Sequence, residues 1–160
     1  MRTSFLVLAL TAFVSASCGE KVDLSKGLEA VDVSTGWYDA GVVDGKNKLV
    51  PSLSFAFKNV SGQNLEVLQA NVVYRRVNEP EKEWGSMFVK VTGSEGLAPG
   101  ATSPRQTVNS PLGYTGTETR QQMFANSAFA DAKVQLFAKY ASTQWQLVGE
   151  YPVPRTLIEK

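Results

Sequence analysis

Histidine is absent from this 160-residue chain, and cysteine occurs once, at Cys18. Without histidine there is no Ser-His-Asp or Cys-His machinery, no imidazole general base and no His-ligated zinc or iron. A single thiol forms neither an internal disulfide nor a thiolate metal cluster. No lysine has Ser or Thr three residues before it, which removes the Ser-x-x-Lys arrangement of serine–lysine hydrolases. No P-loop and no G-x-G-x-x-G occurs either. There is no apolar run of the roughly 20 residues a membrane-spanning helix requires, and no low-complexity stretch or internal repeat. Carboxylates, lysines, serines and tyrosines are the only groups left for chemistry.

Charge of either sign is not in excess. The chain carries 16 basic and 15 acidic residues, a formal net charge of +1. So balanced a chain lacks the electrostatic footprint of a nucleic-acid binder. Hydrophobic residues make up 43%, enough to exclude a disordered chain.

What is present begins with Met1–Gly19, MRTSFLVLALTAFVSASCG. One positive charge (Arg2), an apolar run from Phe5 to Val14 and then small residues make the layout of a secretory signal peptide. Ser15-Ala16-Ser17 followed by Cys18 resembles a bacterial lipoprotein processing site. The resemblance implies cleavage before Cys18 and lipidation of its thiol by palmitate-type acyl chains. It also implies a permanent anchor, because two or more chains hold a protein on a bilayer where one does not. The competing reading is an A-x-A-like site for ordinary signal peptidase, which leaves a free thiol in an oxidising compartment. Gly19 stands where an Asp implies inner-membrane retention in lipoproteins. The expectation is therefore an extracytoplasmic chain, on the outer membrane where the cell has one.

Residues 1–17 thus read as signal peptide, 18–30 as lipidated N-terminus and tether, and 31–160 as one folded domain. Glu20 to Ala30 lacks strand periodicity and, extended at about 3.3 Å per residue, reaches about 35 Å. A mature chain of 143 residues, 160 less 17, suffices for one self-sufficient core.

From Val31 the pattern turns to period two, the signature of a strand with one buried face. Val31, Val33 and Trp37 predict a strand ending near Asp39, and Asp44-Gly45 is a hairpin turn signal. Leu53, Phe55 and Phe57 alternate with small residues up to Asn59-Val60-Ser61-Gly62. Leu65, Val67, Val72 and Tyr74 follow, and the two runs predict an antiparallel pair. Asn78–Glu83 reads as an acidic loop, Trp84–Val91 and Thr102–Val108 as strands. Thr115-Gly116-Thr117-Glu118 fits a capping box for a helix from about Gly116 to Ala125. Val134, Leu136, Ala138 and Tyr140 face Trp145, Leu147, Gly149, Tyr151 and Val153 in a terminal hairpin. The expected core comprises Leu53, Phe55, Phe57, Val67, Val72, Tyr74, Val134, Leu136, Trp145 and Leu147.

Short strands at this spacing, one helix and no βαβ rhythm predict an all-β sandwich of about seven antiparallel strands with one short helix. The strand before Asn59-Val60-Ser61-Gly62, the run Leu65–Tyr74 and the turn Gly96-Leu97-Ala98-Pro99-Gly100 resemble the immunoglobulin-like domains of bacterial envelope lipoproteins, the FxLYD kind among them. That resemblance spans about Leu49 to Val108 and implies an immunoglobulin-like β-sandwich. It carries over no catalytic residue, and the Phe-x-Leu-Tyr-Asp motif itself is missing.

Several residue groups admit a functional and a structural reading. Glu79, Glu81 and Glu83 with Trp84 form a recognition loop, or a solvated loop whose tryptophan enters the core. Gly113-Tyr114-Thr115-Gly116 reads as an exposed aromatic loop. Trp37, Tyr38 and Trp145 suit either sugar stacking or core packing. Asp39, Asp44 and Asn47 offer calcium-type oxygens without EF-hand spacing, and Asn59-Val60-Ser61 reads as a turn more simply than as a glycosylation site. The combined expectation is a non-catalytic, membrane-anchored module binding an envelope protein partner through Glu79, Glu81, Glu83, Trp84 and Tyr114, with no cofactor and no metal. A carbohydrate or peptidoglycan binder and a carboxylate-based hydrolase are the alternatives.

Overall fold

Asp44 and Gly45 both take positive φ, 50° and 74°, the backbone that a tight two-residue hairpin requires. They join β1 (Leu28–Val43) to β2 (Lys46–Asn59), with Val43 opposite Lys46. This computed structural model describes residues 20–158. The expected signal peptide (1–17) and Cys18 lie outside the described residues. Beyond β2 come β3 (Gln69–Arg76), β4 (Glu79–Lys90), β5 (Gln106–Asn109), β6 (Tyr114–Gly116), β7 (Ala132–Lys139) and β8 (Gln146–Val153). Two short helices, α1 (Leu24–Gly27) and α2 (Arg120–Ala125), complete the described elements.

The strands form two antiparallel sheets. One runs β1-β2-β5, with β6 beside β2, and the other runs β4-β3-β7-β8. Two sheets in these orders make an immunoglobulin-like sandwich, with β3, β7 and β8 as the C, F and G strands, β4 beyond β3 on that same sheet, and β1, β2 and β5 as A, B and E. Leu53, Phe55 and Phe57 from β2 meet Val72, Tyr74, Val134 and Leu136 from the other sheet, all fully buried.

The expected β2–β3 pair is corrected by this topology: the two strands lie in different sheets. Both arrangements aim the same apolar residues at one core, so periodicity does not separate them. Asn59 directs the crossing. Its buried side-chain amide donates to the carbonyls of Gln63 (2.8 Å) and Leu97 (2.7 Å), and its Oδ1 accepts from the Ser61 backbone N–H (2.9 Å). The Asn59–Ser61 turn therefore leads the chain over the core edge and not back along β2.

Three expected core residues are displaced. A bulge in β8 sets Leu136 opposite Gly149 but Phe137 opposite Leu147. One extra residue reverses the alternation, so Leu147 is 45% exposed while Val153 is buried. Trp145, just before that strand, is only half-buried. Val67 takes a φ of 50° and turns outward, and Leu65 and Leu68 fill the core in its place.

The tether is also corrected. Leu24 and Leu28 are buried, α1 spans Leu24–Gly27, and β1 begins at Leu28 and not at Val31. Asp23 caps α1 by accepting the Ser25 N–H, and the hydrogen bond from the Ser25 hydroxyl, with that backbone bond, holds the Asp23 carboxyl below its ordinary range. The predicted helix from Gly116 shortens to α2. Tyr114–Gly116 pairs with Asn47–Leu49 as β6, and the capping box is formed by Thr119 and Gln122.

Candidate interaction surfaces

The expected acidic loop is strand. Its turn is only Val77-Asn78, and β4 starts at Glu79 as an edge strand. Charge pairing across β3 and β4 explains this: Glu79 lies opposite Arg76, 3.4 Å from its guanidinium, and Glu83 lies opposite Arg75. Cross-strand opposite charges favour a ladder over a loop. Arg75 is braced by Gln135 Oε1 at 2.8 Å, and Ser86 donates to Glu83 at 2.6 Å.

Where β4 leaves this charged stretch, Trp84 turns inward. It is 9% exposed, with its ring 6.1 Å from that of buried Trp37 and the Arg76 guanidinium 4.9 Å above it. Arg76, Glu79, Lys82, Glu83, Trp84 and exposed Leu112 enclose a groove of about 250 Å³. Three of the five sequence-derived contact residues, Glu79, Glu83 and Trp84, thus share one site. Trp84 is a wall of that groove and not a free contact residue. Glu81 is exposed on the same strand but does not line it. Tyr114 is corrected as well: it is half-buried in β6, its ring 4.8 Å from Phe129. A Cβ at Gly113 would run into the Leu49 carbonyl oxygen, so that segment packs closely and is no open loop.

This groove sits toward the end of the sandwich opposite the first described residues. At that far end Val42 and Val77 are 64% and 55% exposed. The near end holds the N-terminal segment: Gln63 Nε2 donates to the Glu20 carbonyl (2.8 Å), Val22 N–H to the Tyr140 hydroxyl (2.6 Å) and Leu24 N–H to Gln146 Oε1 (2.9 Å). Beside it lies a surface that periodicity did not single out. Phe88, 69% exposed on β4, packs at 5.8 Å against Trp145, and Lys139 Nζ sits 4.9 Å from the Trp145 ring. Gln69, Val89 and Lys90 complete its lining, around about 350 Å³. The signal was there in Phe88, which stands on the opposite face of its strand from Val89 and Val91.

A third, wider depression of about 680 Å³ lies on the outer face of the first sheet, over Ser34, Ser54, Thr107 and Asn109. Arg105 stands at its side, held by the Asp32 carbonyl (2.9 Å) and Ser34 Oγ (2.8 Å). Asp32 has a φ of 51° where β1 bulges, which turns that carbonyl toward the arginine. The buried Asn109 Oδ1 has no hydrogen-bond partner.

Of the calcium-type residues, Asp39 holds Arg120 at 3.0 Å and Asn47 donates to the Glu118 carbonyl at 2.6 Å. Among the described residues no three His, Cys, Asp or Glu side chains come together to hold a metal. Trp37 is fully buried, so it does not stack on a sugar. Among the described residues no helix is long and apolar enough to cross a membrane.

No family model and no curated protein matches this chain. Among solved structures it is similar to the X-ray structure of a Northeast Structural Genomics Consortium target, at 12% identity and a TM-score of 0.47. The match covers 83% of this chain and 89% of the other. A likeness at that distance carries nothing about function.

Proposed function

We propose that this protein is a non-catalytic envelope lipoprotein, anchored through lipid on Cys18, that binds a protein partner at the end of the sandwich away from the anchor. The observation that carries the reading is the separation of the two ends. The first described residues are tied to one end, while the groove of Arg76, Glu79, Lys82, Glu83, Trp84 and Leu112 lies toward the other. An apolar rim at Leu112 beside charges of both signs suits a protein side chain entering over Trp84. The edge of β4 supplies strand backbone alongside it. Anchoring raises the local concentration of any partner on the same membrane, so an interface of modest size suffices.

The test is cross-linking in the native envelope with the parent chain and with Leu112→Asp and Glu83→Lys. The account expects a captured protein whose yield falls at least about tenfold in both variants, the effect of losing a central contact worth about 1.4 kcal/mol. Capture unchanged in both, or no capture while the purified protein cleaves a glycan or peptide, overturns it. A carbohydrate-binding reading has one observation in its favour, the unpartnered Asn109 Oδ1 in the hydroxyl-lined depression beside Arg105. Glycan-array binding that is lost in Asn109→Leu would establish that reading instead.

A further inference from the structure

We propose that the Phe88–Trp145 surface is a membrane-docking face, and that its occupant is the bilayer to which the chain is anchored. The inference rests on the reading of Cys18 as lipidated and extends it, by assigning the face of the sandwich that lies on the lipid.

The backbone is held to the sandwich from Glu20 onward, through the Gln63 bond to Glu20 and the Tyr140 bond to Val22. Cys18 is two residues further, a reach of at most about 7 Å. With so short a connection, the near end of the domain rests at the headgroup layer and does not swing freely above it. Trp145 is at this same end: it adjoins Gln146, whose Oε1 accepts the Leu24 N–H.

Side-chain chemistry at that end fits an interface between water and hydrocarbon. Phe88, at 69% exposure, offers a bare aromatic face to solvent, and indole rings favour the headgroup level of a bilayer. Lys139 lies along the Trp145 ring at 4.9 Å, and Lys90 is exposed on the β4 edge. Such side chains keep their stems on apolar surface while the ammonium reaches the phosphates. In register, Lys90 and Lys139 flank Gln69, and Phe88 and Phe137 flank Asn71, one layer behind them. Cations and aromatics are thus stacked in two rows on one sheet face. A protein partner covering this patch would have to fit between the domain and the membrane that the anchor holds against it.

Brominated lipids quench tryptophans that reach the bilayer, and here the readout is selective, because Trp37 and Trp84 are buried in the core. The protein as isolated, with its native N-terminus, is placed on vesicles of phosphatidylcholine and phosphatidylglycerol carrying brominated chains. The proposal expects bromine-dependent quenching that falls at least about threefold in Trp145→Phe and in the surface pair Lys90→Glu/Lys139→Glu, as an interfacial indole steered by cations requires. Vesicle-bound protein whose emission ignores bromine overturns it, as does quenching that survives in both variants. Capture of a protein at Phe88 in the native envelope, with no quenching, also overturns it. The outcome is separable from that of the partner site, since quenching does not depend on Leu112 or Glu83. Should the N-terminal peptide carry no lipid, anchoring fails by its mass, and vesicle binding through Trp145 by that same chain still decides this proposal.

Discussion

The hydroxyl of Tyr74, on β3, donates a 2.6 Å hydrogen bond to the carbonyl of Val108, on β5 of the facing sheet. This bond joins the two layers through their core, and burial pushes the Tyr74 phenol well above its ordinary range. Ser52 Oγ donates to the same carbonyl at 3.2 Å. Tyr74→Phe keeps the ring packing and removes the main donor. The expected loss is about 0.5–1.5 kcal/mol, the net worth of one buried hydrogen bond whose acceptor keeps a second donor. Thermal unfolding should register it as a fall of roughly 2–4 °C per kcal/mol for a domain of this size.

The N-terminal segment is part of the fold. Leu24 is fully buried and its N–H is bonded to Gln146. Leu24→Ala should therefore cost about 2–5 kcal/mol, as large-to-small changes in cores do. Chemical denaturation provides the check. An unchanged midpoint would restore residues 20–30 as a free tether.

Asp131 and Arg155 form a two-bonded ion pair, at 2.6 and 2.8 Å, that ties the chain after β8 back beside β7. Hydrogen bonding from Arg155 holds the Asp131 carboxyl below its ordinary range. A carboxyl whose folded pKa is depressed stabilises the fold above its unfolded value, and that contribution disappears as pH falls through the folded value. The pair is half-exposed, so the effect stays below about 1 kcal/mol. Denaturation midpoints of the parent and Asp131→Asn should converge as pH drops below the carboxylate range. A gap that persists there would remove the ionic explanation.

Sequence patterning reveals the strands better than their partners. Alternation at Leu53–Phe57 and Val134–Leu136 places both segments facing the core, because period two maps directly onto a pleated strand. The same alternation is silent on which sheet a strand joins, so the β2–β3 crossing depends on the tertiary hydrogen bonds of Asn59. One-residue events are invisible too: the bulge near Val148 moved Leu147 outward, and the positive φ of Val67 did the same there. At the candidate groove, Glu79 and Glu83 were readable as charges, but their cross-strand arginines, which turn an expected loop into a strand, appear only with the register. Alternation points Trp145 into the core, yet its ring lies half-buried against Phe88.

Mass spectrometry of the N-terminal peptide from protein taken from its own envelope bears most directly on the central claim, that this sandwich is held by lipid at one end and works at the other. The account predicts a chain beginning at Cys18 with its thiol diacylglycerylated. A chain that begins elsewhere, or a Cys18 carrying a free thiol, would contradict it.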